Sequence, residues 1–302
     1  MHPQFPSKIL LFGEYGIIHG SQALTIPTNM YRGQIAFSDP VKKNPAAIIS
    51  NQQINEYLRL LRTEKSTEFL KTREMEKDIS QGLYFKSNIP TGYGLGSSGA
   101  LVAALYDRYH MNDTSLNDLK SLRAVLAALE SPFHGKSSGL DPLVSYLKKS
   151  ILSKGKGELE IIDFMSHDLV NNQVFLIDTG IARNTRHLIY LFHEKMKDKT
   201  YKKKIYHDFF KATEDCIQSL ITGKKDLNKK SLTRLSGLEL SLFREMIPEE
   251  WHEIWYNSLL NDDFRIKLCG AGGGGFLLGF TENFELLVKK MSHISHFFQK
   301  VS

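Results

Sequence analysis

The sequence predicts an α+β protein, and two kinds of segment carry that prediction. Short apolar runs that end at glycine, such as "KILLF" at 8–12, are typical of buried strands. Segments with apolar residues at three-and-four spacing, such as 116–129, are typical of amphipathic helices. Both kinds are interspersed along the chain without an internal repeat or a low-complexity tract, which indicates one integrated α+β design.

The N-terminal part of the chain alternates between strand and helix patterns. "KILLF" predicts the first strand, and the apolar piece "YGIIHG" at 15–20 predicts a second. Charged residues mixed with leucines over 53–75 predict a helix. "GLYFKSNIP" at 82–90 returns to a strand-like composition just before a glycine-rich turn.

The middle of the chain is predicted to be mostly helical. Residues 100–109 lack Gly and Pro and are rich in Ala and Leu, so a buried helix should begin near 98–99. Leucine periodicity predicts the next helix over 116–129. Asp141 before Pro142 predicts a third, with the aspartate as N-cap and the proline at the first helical position.

The C-terminal part begins with a strand pattern, "QVFLIDTG", after a polar stretch. A domain boundary is placed at that stretch, which gives an N-terminal domain over 1–168 and a C-terminal domain over 169–302. Much of 185–261 is predicted to be helical. "FRIKLCGAGGGGFLLGFT" then predicts a strand, a glycine loop and a strand, before a final helix.

Composition and charge narrow the class of protein. The chain has 302 residues, of which 41% are apolar, so it can bury real hydrophobic cores. A net charge of +6 suits an anionic small molecule as well as it suits nucleic acid. The densest lysine runs, near 202–204 and 224–230, have no interleaved aromatic platforms, so we expect solvated faces and no nucleic-acid partner.

The cellular setting is predicted from cysteines and hydropathy. Cys216 and Cys269 are far apart and have no further partners at metal-ligand spacing, which fits a reducing compartment. The N-terminus has no secretion-signal pattern, and no window approaches the ~20 apolar residues of a membrane span. We therefore expect a cytoplasmic protein without a membrane partner.

The glycine-rich turn in "PTGYGLGSSGALVAAL" matches G-x-G-x-x-G, a fingerprint of dinucleotide-binding turns. That fingerprint needs a strand that ends at the first glycine and an acidic residue about 20 positions on, at the tip of a second strand. Here "IPTGY" intervenes, and Asp113 and Asp118 fall in a helix-forming region, so a dehydrogenase is disfavoured. A P-loop, G-x-x-x-x-G-K-[ST], is disfavoured as well. Gly135–Ser137 matches its last three positions, but Glu130 occupies the position of its first glycine.

The chemistry of this turn still indicates an anion site. Glycines let backbone amides turn inward without obstruction by a Cβ atom, and the helix that follows contributes its positive end and unpaired N–H groups. Two serine hydroxyls could reach phosphate oxygens or Mg²⁺, which prefers oxygen ligands. The plainer alternative is a turn whose glycines only let the helix pack closely.

Three segments together resemble the motifs of one family. "SKILLFGEYGIIHG", "PTGYGLGSSGAL" and "KLCGAGGGGFLLGF" are similar, in order, to motifs one, two and three of the GHMP kinases, which include galactokinase, homoserine kinase, mevalonate kinase and phosphomevalonate kinase. The motifs span nearly the whole chain. "FHGKSSGLDPLVS" and "DTGIARNTRHLI" are similar to segments of the mevalonate kinases, so the nearest relatives suggested are mevalonate kinases of a short bacterial form.

The resemblance implies a two-domain GHMP kinase fold. An N-terminal ribosomal-protein-like α/β domain would bind ATP, a C-terminal ferredoxin-like α+β domain would follow, and the active site would lie in the cleft between them. The implied activity is ATP- and Mg²⁺-dependent phosphorylation of a small alcohol, with the primary hydroxyl of mevalonate as the leading acceptor. The sequence leaves the oligomeric state open, and a homodimer is one state that it allows.

The resemblance also assigns site residues one by one. Asp141 matches the catalytic aspartate, and Lys8 matches the motif-one lysine near the transferred phosphoryl group. Ser98 and Glu130 match the two Mg²⁺ ligands. Phosphoryl transfer depends mostly on positioning and charge neutralisation, and these residue types supply both. The ATP phosphates are expected at Gly92, Gly94, Leu95, Gly96, Ser97, Ser98 and Gly99, and the acceptor at Glu14, Thr185, Gly272 and Gly273.

Several alternatives stay open at this point. Glu130 could be a solvated carboxylate, and Thr185 could only cap the helix that follows it. Two positions depart from the family pattern: Tyr15 stands where mevalonate kinases usually have histidine, and Gly99 stands where alanine is common. Phosphomevalonate or a sugar such as galactose are therefore alternative acceptors. A nucleotide-binding regulator that kept the fold without turnover is a further alternative.

Overall fold

A computed structural model describes residues 2–39, 44–64, 66–111, 118–155, 157–164, 173–181, 185–222 and 227–301. Helices and strands are mixed along these residues, so the predicted α+β class is confirmed. None of the described helices is both long enough and apolar enough to cross a membrane. The chain divides into two units, and each unit is assembled from separate stretches of sequence.

The first unit consists of 1–8, 27–90 and 95–149. It includes the start of strand β1 (Phe5–Phe12), the later part of β2 (Ala23–Phe37) and β3 (Leu83–Ser87). β2 and β3 pair antiparallel, with Gly33 opposite Ser87 and Phe37 opposite Leu83. The helices of this unit are α1 (Pro45–Thr63), α2 (Thr72–Ser80), α3 (Ser97–Tyr109), α4 (Leu119–His134) and α5 (Leu140–Leu147).

Helix α3 packs against both α4 and α5. Its Ala100, Val102, Ala103 and Leu105 are buried, as the alanine- and leucine-rich sequence predicts. Protein interiors pack without large voids, so neighbouring helices come close together where the side chains between them are short. α3 begins at Ser97, within one or two residues of its predicted start.

The second unit consists of 9–26, 91–94 and 150–302. Besides the end of β1 and the start of β2, its strands are β4 (Ser150–Gly155), β5 (Glu158–Ile162), β6 (Gln173–Asp178), β7 (Arg265–Leu268), β8 (Phe276–Thr281) and β9 (Phe298–Lys300). An antiparallel sheet has the order β7–β8–β6–β9, and β4 pairs with β5 and with the start of β2. The helices are α6 (Thr185–Lys195), α7 (Lys199–Lys204), α8 (Phe210–Ile221), α9 (Lys229–Leu242), α10 (His252–Leu260) and α11 (Phe284–Lys290).

The strand predicted in "YGIIHG" is wrong, because Gly16–His19 forms a 3₁₀ helix. The chain turns there through positive φ angles, +116° at Gly13 and +56° at Tyr15, which are incompatible with an extended strand. The second strand instead begins at Ala23 and runs for 15 residues. The single helix predicted over 53–75 is also wrong, since α1 ends at Thr63 and α2 begins at Thr72.

Helix α5 begins earlier than its Asp-Pro signal predicts. Its N-cap is Gly139, which has a left-handed conformation with φ +71°, so the prediction of Asp141 as N-cap is wrong. A Cβ atom at Gly139 would lie 2.4 Å from the carbonyl oxygen of Arg123, which explains the glycine. Asp141 therefore lies inside the first turn of the helix.

The predicted domain boundary between 168 and 169 lies within 165–172, outside the described residues. The division into domains 1–168 and 169–302 therefore stays a prediction. In the described residues, β1 and β2 each contribute residues to both units.

The lack of space around Gly99 predicts that alanine at this position destabilises the protein. Glycine to alanine within a helix usually stabilises it by roughly 0.5–1 kcal/mol. At Gly99, however, a Cβ atom would lie 2.8 Å from backbone atoms of Asp141 and Pro142, which cannot move independently of α5. We expect Gly99→Ala to lower the free energy of unfolding by about 1–3 kcal/mol, measured by urea denaturation.

The matched control is Gly237→Ala in α9. There the nearest atom to an added Cβ is Leu259 Cδ1, at 4.0 Å, so the substitution should show the ordinary stabilisation. An unfolding midpoint for Gly99→Ala at or above that of the unmodified protein would contradict the steric argument.

Candidate active site

Two predicted catalytic residues form an ion pair in the first unit. Lys8 Nζ lies 3.0 Å from Asp141 Oδ2. The lysine side chain is 10% exposed and the aspartate side chain 32%, so the pair is only partly shielded from water. Asp141 can therefore take a further partner while it stays paired with Lys8.

Hydrogen bonds fix this pair relative to the backbone. Ser145, one helical turn after Asp141, donates from its buried hydroxyl to the carbonyl oxygen of Pro6 at 2.8 Å. Lys8 lies two residues beyond Pro6 on β1, so the Ser145 bond and the ion pair join the same two elements. The backbone N–H of Lys8 donates to the carbonyl oxygen of Leu95 at 3.0 Å, which joins β1 to the glycine turn.

A second carboxylate, that of Glu130, lies near the Lys8–Asp141 pair, and the three residues together with Ser98 form the first unit's cluster. Only 4% of the surface of Glu130 is exposed. Ser98 Oγ donates to Glu130 Oε1 at 3.0 Å, and Ser137 Oγ donates to Oε2 at 2.5 Å. Burial, together with the charge of Asp141, raises the pKa of Glu130 to about 7, although the two serines and Lys8 act in the opposite direction. Two carboxylates beside one lysine leave this cluster short of positive charge.

The donor set at Ser98 and Glu130 suits a hard divalent cation. Mg²⁺ prefers oxygen ligands and is usually bound by one or two carboxylates together with substrate phosphates. A hydroxyl and a buried carboxylate 3.0 Å apart match that requirement. The predicted metal role of these two residues is compatible with their geometry and stays a prediction.

The start of α3 has the features of an anion site. Gly96 is its N-cap, with φ +74°, and has no side chain that could occupy the first-turn N–H groups. A Cβ atom at Gly96 would lie 2.9 Å from Lys8 Cγ, so glycine lets the lysine lie directly against the turn. Leu95 is fully buried. Gly92 and Gly94 also have positive φ angles and belong to the second unit.

The residues predicted on the acceptor side belong to the second unit. Glu14 is buried, and Lys267 Nζ donates to its Oε1 at 2.5 Å. The N–H of Gly273 donates to the carbonyl oxygen of Met246 at 2.6 Å, and a Cβ atom at Gly272 would lie 2.3 Å from the same oxygen. These glycines therefore serve close backbone packing. Contact of Glu14, Gly272 or Gly273 with an acceptor stays a prediction, and the side chain of Thr185 lies outside the described residues.

Sequence reasoning missed two charged residues that join Glu14 in the core. Lys267 is fully buried, and its Nζ also donates to the carbonyl oxygen of Leu268 at 2.6 Å. Glu239 is buried 4.0 Å from that Nζ and accepts a hydrogen bond from the N–H of Leu268 at 2.6 Å. A lysine inside the apolar run "FRIKLCG" and a glutamate on the apolar face of α9 were the available signals.

The protonation of this buried cluster follows from its distances. Burial raises the pKa of Glu239 to about 8, and the charge of Glu14 adds to the effect, although Lys267 opposes it. Burial also raises the pKa of Glu14. Lys267 is hydrogen-bonded to Glu14 and lies farther from Glu239, so Glu239 is the carboxyl that keeps its proton near neutral pH. The cluster is then electrically neutral.

This protonation predicts how stability depends on pH. The pKa of Glu239 in the folded protein, about 8, lies above its ordinary value of 4.5, so the folded state binds the extra proton between these values. Its contribution to stability is therefore lost as pH rises from 4.5 towards 8. We expect Glu239→Gln, which cannot ionise, to show a smaller fall in melting temperature between pH 6 and pH 9 than the unmodified protein.

Glu253→Gln, on the exposed face of α10, is the matched control and should leave the pH dependence unchanged. The same slope of melting temperature against pH in Glu239→Gln and in the unmodified protein would show that Glu239 is ionised throughout.

Comparison with known proteins finds one matching domain and several similar proteins. The model of the GHMP kinases N terminal domain matches residues 60–149. The mevalonate kinase of Pyrococcus horikoshii is 26% identical over 297 residues, which cover 89% of this chain and 85% of the relative. The mevalonate kinase of Archaeoglobus fulgidus is 23% identical over 283 residues, with 91% and 90% covered.

Solved structures agree on the fold. The mevalonate kinase of Methanococcus jannaschii superposes with a TM-score of 0.65 at 18% identity, over 97% of this chain and 95% of that one. A phosphomevalonate kinase of Streptococcus pneumoniae, in complex with phosphomevalonate and AMPPNP, superposes with a TM-score of 0.64 at 14% identity, over 100% and 98%. The ordered motifs, the domain model and the likeness over most of the sequence agree: residues 60–149 match the N-terminal domain of the GHMP kinases, and the chain is similar to mevalonate kinases over most of its length.

Proposed function

We propose that this chain is an ATP-dependent kinase that phosphorylates the primary hydroxyl of mevalonate to give 5-phosphomevalonate, an isoprenoid precursor. The observation that carries the proposal is the cluster in the first unit, where Lys8 lies 3.0 Å from Asp141 and Ser98 lies 3.0 Å from Glu130. Relatives named mevalonate kinase, which align with about nine-tenths of the chain, support the choice of acceptor.

Asp141 is proposed as the catalytic base. It is partly exposed beside Lys8, so an acceptor hydroxyl can approach its carboxylate and transfer a proton to it. General base catalysis of this kind contributes about 10²–10⁴ in rate. Lys8 would place positive charge beside the developing alkoxide and the transferred phosphoryl group, where it stabilises negative charge.

The start of α3 is proposed to bind the phosphates of ATP. Gly96 gives the phosphates access to the first-turn N–H groups, and Lys8 lies against the same turn. Ser98 and Glu130 would hold Mg²⁺, which supplies neutralisation of phosphate charge when it is bound. The remaining contribution of the chain is to orient the reactants, which accounts for most of the catalysis in phosphoryl transfer.

Two properties of the enzyme are part of the same proposal. We propose a cytoplasmic location, because the two cysteines lie far apart in the sequence and have no further cysteine or histidine at metal-ligand spacing, which fits a reducing compartment. We propose a homodimer as the oligomeric state to be tested, and light scattering coupled to gel filtration would give the mass directly.

The acceptor is tested by an ADP-release assay with ATP·Mg²⁺ against mevalonate, phosphomevalonate, galactose and homoserine. We expect turnover with mevalonate well above that with the other three. Clear turnover of another acceptor without a response to mevalonate would replace the substrate and keep the kinase. ATP binding without ADP release against every acceptor would favour a regulator that kept the fold.

Asp141→Asn tests the proposed base. The substitution keeps the size of the side chain and removes its ability to accept a proton, so kcat should fall by about 10²–10⁴. The dissociation constant for ATP, measured by calorimetry, should change little. Asp118→Asn is the matched control, because Asp118 caps α4 and asparagine caps equally well. Turnover of Asp141→Asn close to that of the control would remove Asp141 from the chemistry.

A further inference from the structure

Tyr15 has a backbone conformation that a tyrosine rarely adopts. Its φ and ψ angles are +56° and −33°, outside the regions favoured for residues with a side chain. Such conformations cost about 1–3 kcal/mol and persist only where surrounding contacts hold them. Tyr15 directly follows Glu14 in motif one, at the position where the family pattern has histidine.

The contacts that hold Tyr15 come from its ring and its hydroxyl. The ring is buried and lies 4.5 Å from the ring of Phe192 and 5.0 Å from that of Phe243, measured between centroids. The hydroxyl donates to the carbonyl oxygen of Ala271 at 2.6 Å. Tyr15 therefore spans from an aromatic cluster to the glycine loop of motif three, Gly270–Gly275.

That loop needs contacts from outside itself to keep one conformation. Ala271 is its one residue with a side chain, and all five of its glycines have positive φ angles. Glycine loses more conformational freedom on ordering than other residues do, so such a loop is intrinsically mobile. Motif one holds its first two residues, because the Glu14 carboxylate bonds to the backbone of Gly270 and Tyr15 bonds to Ala271.

We propose that Tyr15 is a positioning residue that fixes the motif-three loop for the acceptor through the hydrogen bond from its hydroxyl to Ala271. The kinetic consequence rests on the proposed function, in which this loop lies on the acceptor side. The structural consequence does not, because the loop is held by Tyr15 whatever the protein binds.

The effect should stop before the far end of the loop. The carbonyl oxygen of Gly275 accepts from both the N–H and the hydroxyl of Thr179, at 3.0 and 2.7 Å, and the N–H of Gly275 donates to Ile181 at 2.7 Å. These bonds do not involve Tyr15. Gly275 is the loop residue that lies against Tyr93, which stands between Gly92 and Gly94. Loss of the Tyr15 hydroxyl should therefore spare the turn predicted to bind ATP.

The first test is hydrogen exchange in Tyr15→Phe, which keeps the buried ring and removes only the hydroxyl. The N–H of Gly273, bonded to Met246, reports on the loop. We expect its exchange to be about three- to tenfold faster, the factor that one ordinary hydrogen bond supplies. Tyr201→Phe is the matched control: Tyr201 also contacts Phe192, but its hydroxyl donates to the carbonyl oxygen of Leu242 at 3.1 Å and not to a residue of the loop.

The second test is kinetic and uses the same two variants. In Tyr15→Phe we expect kcat/KM for the acceptor to fall about tenfold or more, because small displacements of a positioning group are costly in rate. The dissociation constant for ATP should stay within about twofold in both variants, and Tyr201→Phe should keep its kcat/KM.

The outcomes separate this proposal from the kinase proposal. Faster exchange at Gly273 in a protein without turnover of any acceptor would keep the positioning role and remove the proposed function. Exchange in Tyr15→Phe equal to that in Tyr201→Phe would overturn the positioning role, even if the kinase activity is found. Equal losses of acceptor kcat/KM in both variants would also overturn it, since the effect would then be one of general stability.

Discussion

The close approach of α3 to α5 is the constraint on which the first unit's cluster depends. At Gly99 the helix backbone lies so near Asp141 and Pro142 that no side chain fits between them. Ser98, the preceding residue on α3, is thereby held in the same small region as Asp141 on α5. α4 packs against both helices and brings Glu130 to them. The absence of a side chain at Gly99 thus lets three helices and a strand bring one hydroxyl, two carboxylates and one lysine close together.

In the second unit, buried charged residues hold two distant segments of the chain together. A lysine without water around it is unfavourable unless carboxylates surround it, and Lys267 has Glu14 beside it and Glu239 near it. That requirement fixes the end of motif one relative to the strand that leads into motif three. The observed contacts of Glu14 are structural ones, with Lys267 and the backbone of Gly270. An effect of Glu14 on an acceptor would then act through the loop that it supports.

Sequence reasoning performed well where a local pattern determined the outcome. The start of α3 and the strands on either side of the motif-three glycines follow from composition and periodicity, and the structure agrees. The pairing of Lys8 with Asp141 and of Ser98 with Glu130 was expected only through the family resemblance, since neither residue type nor spacing brings such distant positions together. The errors at "YGIIHG" and at the start of α5 share one cause. In both segments, a residue with a positive φ angle changes the direction of the chain. The pattern of hydrophobic residues carries no information about the sign of φ.

The Asp-Pro pair shows why a correct local rule can still give the wrong role. Aspartate before proline is a good N-cap signal, but a glycine two positions earlier starts the helix by a left-handed turn. The carboxylate of Asp141 is thereby released from capping and can pair with Lys8. Lys267 and Glu239 show a different limit of sequence reasoning. A single charged residue within an apolar segment indicates that the charge is buried, but it does not indicate which residue pairs with it.

The separation between Glu14 and its partner has a consequence for how the protein is made. Glu14 and Lys267 are 253 positions apart, whereas Lys8, in the same strand region, pairs with Asp141 much earlier in the chain. Because synthesis runs from the N-terminus, the partners of Lys8, Ser98 and Glu130 are all present while Lys267 has yet to be added. Glu14 and Tyr15 therefore lack their partners Lys267 and Ala271 until nearly all of the protein has emerged from the ribosome. Contacts of such long range form late and slowly, so the last ordering event of folding should be the closure of motif one on motif three.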